Sequence, residues 1–461
     1  MKSFTRLSVC KWIVCVSISI FIFSACQKET DRPEIPNEIA TTANNGVHGH
    51  LKQTNTYDSK VVVAWIDLFN RILLRNVSPV LRLNYNQTRF AAYTGIALYE
   101  SVVHGMPGYQ SLYGQLNEMP QMPSYQPGVA YHWPTSANTV LAAMNRYFFP
   151  TVTVADKASI DSLETSFNNE LKTETSPQEF QRSVAIAKNI AAAVYEWSKT
   201  DGSDHGFDPY SPPIGQGLWV STPPNFPIAS APYWGNNRTI VPGSIDNTDP
   251  GAPIVYSEDP SSDFYKMAKD VYDNSLNQNA DQKAIVLSWA DRSGIAHAGH
   301  TLSILAQVLT NKNSTLDLAA IGYAKTGISI CDAVISIWNT KYKYNIQRPI
   351  TYIRNVLHHT TWNASYNTPA HPDYSSEHGI YAASAVALAS IFGNSCQFTD
   401  HTYDVLGLMP RSFSSFEEAA EEAGLSKFYA GTNYLSSTQI GFNQGKKVGD
   451  NIESKLKFLK E

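Results

Sequence analysis

Three separated stretches decide how this sequence is interpreted: KYKYNIQRP at 341–349, HPDYSSEH at 371–378 and SKFYAGTN at 426–433. The first supplies a lysine and an arginine, the second supplies serines and a histidine, and the third supplies a further lysine. Cationic and hydroxyl groups bind the oxygens of a phosphate-like anion, and an imidazole can exchange a proton beside it near neutral pH. Taken together, the three stretches predict an oxyanion site assembled from distant parts of the chain.

The first stretch is expected to end a helix. Lys341 and Arg348 are seven residues apart, nearly two helical turns, so both should point to one face. Pro349 should end that helix close to Arg348. Two long cationic side chains at a helix C-terminus could then fold towards one anion. The alternative is a solvated basic helix end favoured by the helix dipole.

The second stretch is expected to open a helix that continues through the apolar residues 380–392. The N-terminus of a helix presents unpaired N–H groups to an anion, and Ser375 or Ser376 could cap it. His378 would lie in the first turn and act as an acid or base. Simple capping with a surface histidine is the alternative.

Helical periodicity dominates the rest of the chain, and no sustained strand alternation is visible, so the predicted class is all-α, built from helical bundles. Residues 206–256 are rich in Pro, Gly and Asn and should form a long irregular excursion of a kind that is usually functional. Helices are predicted at 59–75, 87–104, 136–148, 177–198, 260–274, 281–309, 316–341, 376–392, 414–424 and 437–459.

In this order, the stretches resemble the superfamily of vanadium-dependent haloperoxidases and type 2 phosphatidic acid phosphatases. Its signature is Lys, six residues, Arg-Pro; then Pro-Ser-Gly-His; then Ser-Arg, five residues, His. The surrounding sequence WNTKY at 338–342, RPITYIR at 348–354 and RSFSSF at 411–416 is similar to bacterial haloperoxidases. The resemblance covers residues 60–460 and has its most specific part in 338–434.

The resemblance implies a helical-bundle fold around a bound vanadate or phosphate. It implies general acid/base catalysis by His378 and a halide-site histidine at His371, although a loop histidine without a role is an equal alternative there. The anion would be bound by the backbone N–H of Glu377 and by the side chains of Lys341, Arg348, Ser376, Lys427 and Asn433.

Three of these positions depart from the signature. Lys427 replaces an arginine and loses its bidentate fork. Glu377 replaces a glycine and would repel an anion unless its carboxylate points away. Asn433 replaces the histidine that bonds to vanadium in the peroxidases and takes the phosphoryl group in the phosphatases. No histidine follows His401, so a substitute would have to come from His300, His358, His359, His371 or His401.

The resemblance therefore leaves three functional hypotheses open. The first is oxidation of halide by hydrogen peroxide at a vanadate site. The second is hydrolysis of phosphate monoesters through the same pocket, where phosphate would be the competing anion. The third is a catalytically inactive oxyanion-binding or interaction protein. The sequence does not specify the oligomeric state.

A separate metal site is a weaker hypothesis. His297 and His300 are three residues apart on a predicted helix, and Asp291 lies upstream. The spacing differs from that of a His-Glu-x-x-His zinc helix, and no third ligand is evident from the sequence. Two histidines satisfied within a helix are the alternative.

Composition and the N-terminus indicate an exported protein. Residues 1–26 carry a basic start and a short apolar run, and they end in FSAC at 23–26, which resembles a lipobox cut before Cys26. We expect a lipid-anchored bacterial protein, periplasmic or on the outer surface. An ordinary cleaved signal or a short N-terminal anchor is the alternative.

The remaining chain divides into a flexible polar tether at 27–56 and one helical domain at 57–461. A net charge of -5 argues against a nucleic-acid-binding surface. Cys331 and Cys396 could pair after export, although two buried thiols are favoured.

Overall fold

A computed structural model describes residues 51–461, except for 76–79 and 292–293, and it does not describe the side chains of 80–84. The predicted signal segment, Cys26 and most of the tether lie outside these residues and stay predictions. Cys331 and Cys396 are both buried and unpaired, as the sequence favours.

Thirteen α-helices and one two-stranded antiparallel sheet form the part of the chain that the structure describes. In the sheet, Phe398 pairs with Phe413 and Asp400 with Arg411. The elements are α1 Lys60–Arg75, α2 Val80–Val102, α3 Trp133–Phe148, α4 Val154–Leu171, α5 Pro177–Ser198, α6 Asp263–Leu276, α7 Ala280–Ser288, α8 His297–Asn311, α9 Leu316–Tyr344, α10 Pro349–Asn355, α11 Gly379–Phe392, β1 Phe398–Asp400, β2 Arg411–Phe413, α12 Phe416–Tyr429 and α13 Leu435–Lys455.

The predicted all-α class is confirmed, and helix α5 has the predicted bounds. Ser176 accepts a hydrogen bond from the backbone N–H of Glu179, and Pro177 occupies the first turn of α5. The single helix predicted at 281–309 is wrong. It is two helices, α7 and α8, because residues 289–291 and 294–296 are not helical. Helices α4 and α10 and the short sheet were not predicted from the sequence.

Helix α9 is the centre of the fold and packs against α2, α11 and α13. By length and composition it could cross a membrane, but 89% of its apolar window is buried inside the protein. Burial on all sides explains why it is apolar around its whole circumference. It is therefore a core helix, and its last turn carries Lys341.

Asp332 of α9 is one buried anchor of the irregular excursion at 206–256, beside the hydrogen bonds of Ser336 with Thr248 and of Tyr342 with Ser230. Asp332 is fully buried and accepts hydrogen bonds from the backbone N–H groups of Ile240, at 2.6 Å, and Val241, at 3.0 Å. Burial raises the pKa of Asp332 to about 6, although these hydrogen bonds oppose the shift.

Asp332 is expected to make stability fall as the pH rises from 4 to 6. In that range the unfolded chain has lost the proton that the folded carboxyl still holds, so ionisation favours unfolding. Relative to Asp332→Asn, the wild-type free energy of unfolding should decline by about 2 kcal/mol over this window. Urea denaturation of both proteins at pH 4, 5, 6 and 7 measures the difference. A difference that rises with pH would contradict the assignment.

Helices α11 and α13 approach each other backbone to backbone through glycines. A Cβ atom on Gly445 would lie 1.7 Å from the carbonyl oxygen of Gly379, and one on Gly441 would lie 2.4 Å from that of Ser376. The backbone N–H of Ser376 also donates to the carbonyl of Ser437 at 2.9 Å. Glycine is thus required here because the backbones leave no room for a side chain. This contact fixes the residues that precede α11.

Gly445→Ala is expected to destabilise the protein by about 3 kcal/mol, because the methyl group forces two helix backbones apart. Gly424→Ala is the matched control, since it also lies inside a helix but its nearest neighbour would be 3.9 Å from the new Cβ. The control should be neutral or gain about 0.5–1 kcal/mol from helix propensity. Thermal and urea denaturation compare the two, and equal effects would contradict the close contact.

Candidate oxyanion site

Lys341 and Arg348 reach the same place from two different elements, so the prediction that both lie on one helix face is wrong. Helix α9 ends at Tyr344 because Asn345 adopts the left-handed conformation, with φ of 53°. Arg348 is the N-cap of α10, and Pro349 begins that helix instead of ending the previous one.

Lys341 and Arg348 are fully buried, and backbone carbonyls hold them in place. Lys341 Nζ donates to the carbonyls of Pro372, at 3.0 Å, and Asp373, at 3.1 Å. Arg348 donates to the carbonyls of His371, at 2.8 Å, and Thr432, at 3.0 Å. The two cations therefore tie the second and third sequence stretches together. Burial and the neighbouring Arg348 lower the pKa of Lys341 to about 7.

The residues Ser375 to His378 precede α11 and do not open it, in contrast to the prediction. The helix begins at Gly379, and its N-cap is His378, which makes no side-chain cap. The hydroxyl of Ser376 is buried and has no hydrogen-bond partner in the part of the chain that the structure describes. Ser376 is thus a predicted anion-binding side chain whose polar atom is available.

The carboxylate of Glu377 points into the site, where the sequence left its direction open. Its Oε2 lies 2.9 Å from Nε2 of His371, and its Oε1 lies 3.6 Å from Nζ of Lys427. Burial alone would raise the pKa of Glu377, but His371 and Lys427 hold it well below its usual value. Glu377 is therefore an ionised group placed among the groups that were predicted to hold an external anion.

His371 lies inside the site and connects Arg348 to Glu377. Arg348 Nη2 donates to Nδ1 of His371 at 3.0 Å, which leaves Nε2 to donate to the Glu377 carboxylate. Burial lowers the pKa of His371 to about 3, so the ring is neutral at pH 7. Of the five histidines that could replace the missing one, this is the one inside the site. His358 and His401 are exposed, His359 stacks on Tyr272, and His300 pairs with Asp400.

Asn433 lies inside the site, and both ends of its amide are engaged. Its Oδ1 accepts a hydrogen bond from Arg348 Nη1 at 3.0 Å, and its Nδ2 donates to the carbonyl of Asp373 at 3.2 Å. Gly431, with φ of 78°, provides the turn that brings Asn433 back to Lys427, whose carbonyl accepts its backbone N–H. Lys427 comes from the last turn of α12.

His378 has a carboxylate partner that the sequence analysis assigned elsewhere. Its Nε2 lies 2.9 Å from Oδ2 of Asp291, and its Nδ1 lies 2.6 Å from the carbonyl of Ala423. Tyr381 donates to the other oxygen of Asp291 at 2.9 Å. Burial and Lys427 lower the pKa of His378 to about 4. No local pattern predicts this pairing, because 87 residues separate the two partners.

The charges of the site balance one another among the described residues. Three cationic side chains, those of Lys341, Arg348 and Lys427, share the site with three carboxyl groups, those of Asp291, Asp373 and Glu377. Asp373 lies 3.8 Å from Arg348, and burial raises its pKa to about 6. The site therefore lacks the excess of positive charge that a bound oxyanion needs.

Comparisons with known proteins agree with this architecture. The family described as the VCPO second helical-bundle domain matches residues 322–460. A bacterial vanadium-dependent iodoperoxidase is similar in structure, with a TM-score of 0.79, 27% identity, and coverage of 89% of this chain and 99% of that one. The holo form of a bacterial vanadium-dependent chloroperoxidase is similar with a TM-score of 0.60 and 14% identity, and the match covers 82% of this chain and 94% of that one. No curated protein sequence matches.

The family match over residues 322–460 and the likeness to the iodoperoxidase support the vanadium haloperoxidase superfamily, and the chain has the helical-bundle fold of these neighbours. Vanadate is the cofactor that the superfamily implies, and the residues of this site do not fit it. The Asn433 amide is occupied by Arg348 and Asp373, and the Glu377 carboxylate adds negative charge beside the cations.

Proposed function

We propose that this protein is a catalytically inactive member of its superfamily, in which the carboxylate of Glu377 takes the place of an external anion in the pocket. Instead of vanadate-dependent halide oxidation, it would serve as a binding or interaction protein, tethered to a bacterial membrane through the lipid predicted at Cys26. The observation that carries the proposal is the position of the Glu377 carboxylate between His371 and Lys427, at 2.9 and 3.6 Å.

The electrostatic cost of adding an anion supports this proposal. A second unit of negative charge about 4 Å from the Glu377 carboxylate is repelled by about 4 kcal/mol at an effective dielectric of 20. This cost weakens binding by about a thousandfold. Moving Glu377 out instead would break its contact with His371, leave that ring nitrogen buried without a partner, and remove one of the two carboxylates beside Lys427.

Calorimetric titration of the full chain with vanadate, with phosphate as competitor, tests the proposal. We expect no saturable binding at millimolar vanadate and no bromination or iodination of a phenolic dye with peroxide. Tight binding that phosphate displaces, or halide oxidation above the rate without protein, would overturn it.

Halide oxidation is the second candidate function. It is favoured by the unpartnered Ser376 hydroxyl and by the 27% identity to the iodoperoxidase. Phosphate-ester hydrolysis is disfavoured, because an amide is a poor nucleophile and Asn433 uses both of its polar atoms elsewhere. Release of nitrophenol from its phosphate, inhibited by vanadate, would favour hydrolysis over both other functions.

A further inference from the structure

A second group of side chains lies beside the anion pocket. Asp291 follows α7, His297 is the first residue of α8, and His378 precedes α11. The Oδ2 atom of Asp291 lies 2.9 Å from Nε2 of His378 and 3.5 Å from Nε2 of His297. One carboxylate oxygen and one nitrogen from each ring all lie within 4.8 Å of one another.

His378 contacts a hydrogen-bond acceptor at each of its two ring nitrogens. Nδ1 faces the carbonyl of Ala423 at 2.6 Å, and Nε2 faces the carboxylate of Asp291 at 2.9 Å. A neutral imidazole carries one N–H, so it can satisfy one acceptor and must turn a lone pair towards the other. With its proton on Nδ1, the ring donates to the carbonyl of Ala423. The lone pair on Nε2 then faces Asp291, and a cation between them would satisfy both atoms.

His297 provides an independent observation. Its side chain is 12% exposed, and its Nε2 is buried without a hydrogen-bond partner in the described part of the chain. A buried ring nitrogen without a partner is costly unless it binds something. This nitrogen lies closest to the same oxygen of Asp291 that faces His378.

We propose that Asp291, His297 and His378 bind a divalent transition-metal ion through one carboxylate oxygen and two Nε2 atoms. Two histidines and one carboxylate are a ligand set for Zn²⁺ and for non-haem Fe²⁺, with the remaining positions left to water. Ligands about 2.05 Å from a tetrahedral ion are about 3.3 Å apart. The distances of 2.9 and 3.5 Å in this site lie on either side of that value.

The surroundings of the three ligands match those of a metal centre. A ligating histidine usually donates its other ring N–H to a carbonyl or carboxylate, as His378 does to Ala423. The second oxygen of Asp291 is held by Tyr381. The sequence suggested His297, His300 and Asp291 as ligands, but His300 points to Asp400, at 2.7 Å, and His378 takes its place.

Lys427 is the one described group that opposes a metal ion here, since its Nζ lies 3.7 Å from Oδ2 of Asp291. It also lies 3.6 Å from Glu377, whose carboxylate offsets its charge. The metal site is therefore expected to be weaker than it would be without this ammonium. This inference goes beyond the proposed function, because it concerns a cation held by groups beside the anion pocket.

Zn²⁺ titration of the metal-stripped full chain by calorimetry tests the inference, and the absorption bands of bound Co²⁺ report the coordination geometry. We expect one ion per chain. His297→Gln and the isosteric Asp291→Asn should each weaken Zn²⁺ binding by about 100-fold. Lys427→Gln should strengthen it by about tenfold, because a positive charge is removed. Far-UV circular dichroism checks that each variant is folded.

The exposed pairs His401–Asp404 and His205–Asp208 supply matched controls, because each joins a histidine to a carboxylate at the surface. His205→Gln and His401→Gln should bind Zn²⁺ as the wild type does. Loss of binding in these controls, unchanged binding in His297→Gln, or no stoichiometric Zn²⁺ would overturn the inference. Vanadate binding by the wild type would overturn the proposed function alone, so the two failures are distinguishable.

Discussion

Glu377→Gly combined with Asn433→His is expected to bind vanadate at least about 100-fold more tightly than the wild type. The first change removes a carboxylate that repels the anion by about 4 kcal/mol, and the second supplies a ring nitrogen where the amide contacts Arg348. Calorimetry with vanadate, followed by a halide-oxidation assay, measures both consequences.

Three further variants separate the causes. Glu377→Gln keeps the size of the side chain and removes its charge, so it should gain part of the affinity if repulsion dominates. Glu377→Gly and Asn433→His, made singly, show which change matters more. If Glu377→Gly and Glu377→Gln bind vanadate no better than the wild type, Glu377 does not occupy the anion position.

Arg348→Met is expected to lower the free energy of unfolding by about 3–5 kcal/mol. Arg348 is fully buried and donates to two carbonyls, to Asn433 and to His371. Its loss leaves these acceptors unpaired, and it leaves Asp373 without its closest cation. The midpoint of urea denaturation, compared at equal pH, gives the magnitude.

Arg146→Ala is the control for this change, because Arg146 also pairs with two carboxylates but is 40% exposed. A surface pair of this kind contributes about 0–1 kcal/mol. Arg348→Lys should fall between the two, since it keeps the charge and loses the planar fork. A loss below about 1 kcal/mol in Arg348→Met would show that the buried network contributes little to stability.

The sequence predicted which residues would meet but not how they would be held. Lys341, Arg348, Glu377 and Asn433 converge as expected, because each lies in a stretch whose residue types are recognisable. Arg348 was placed on the wrong element because α9 ends at Tyr344, and the left-handed conformation of Asn345 after it has no periodic signature. The direction of the Glu377 side chain depends on His371 and Lys427 and could not be inferred locally.

Long-range partners and very short elements escaped prediction for related reasons. Asp291 meets His378 across the fold, and no spacing rule joins residues that far apart in the chain. Each strand of the sheet has three residues, too few to show alternation. The helix predicted at 376–392 begins at Gly379 instead. The residues before it are fixed by the glycine contact with α13 and not by a serine cap.

The carboxylate at position 377 also bears on how the molecule matures. A pocket lined only by cations is completed when an anion arrives from the surroundings, so its final assembly depends on what the medium supplies. Here the counter-charge is the carboxylate of Glu377, which is part of the polypeptide and is in place once the chain has folded. Maturation of this chain should therefore proceed alike in media rich or poor in phosphate and vanadate.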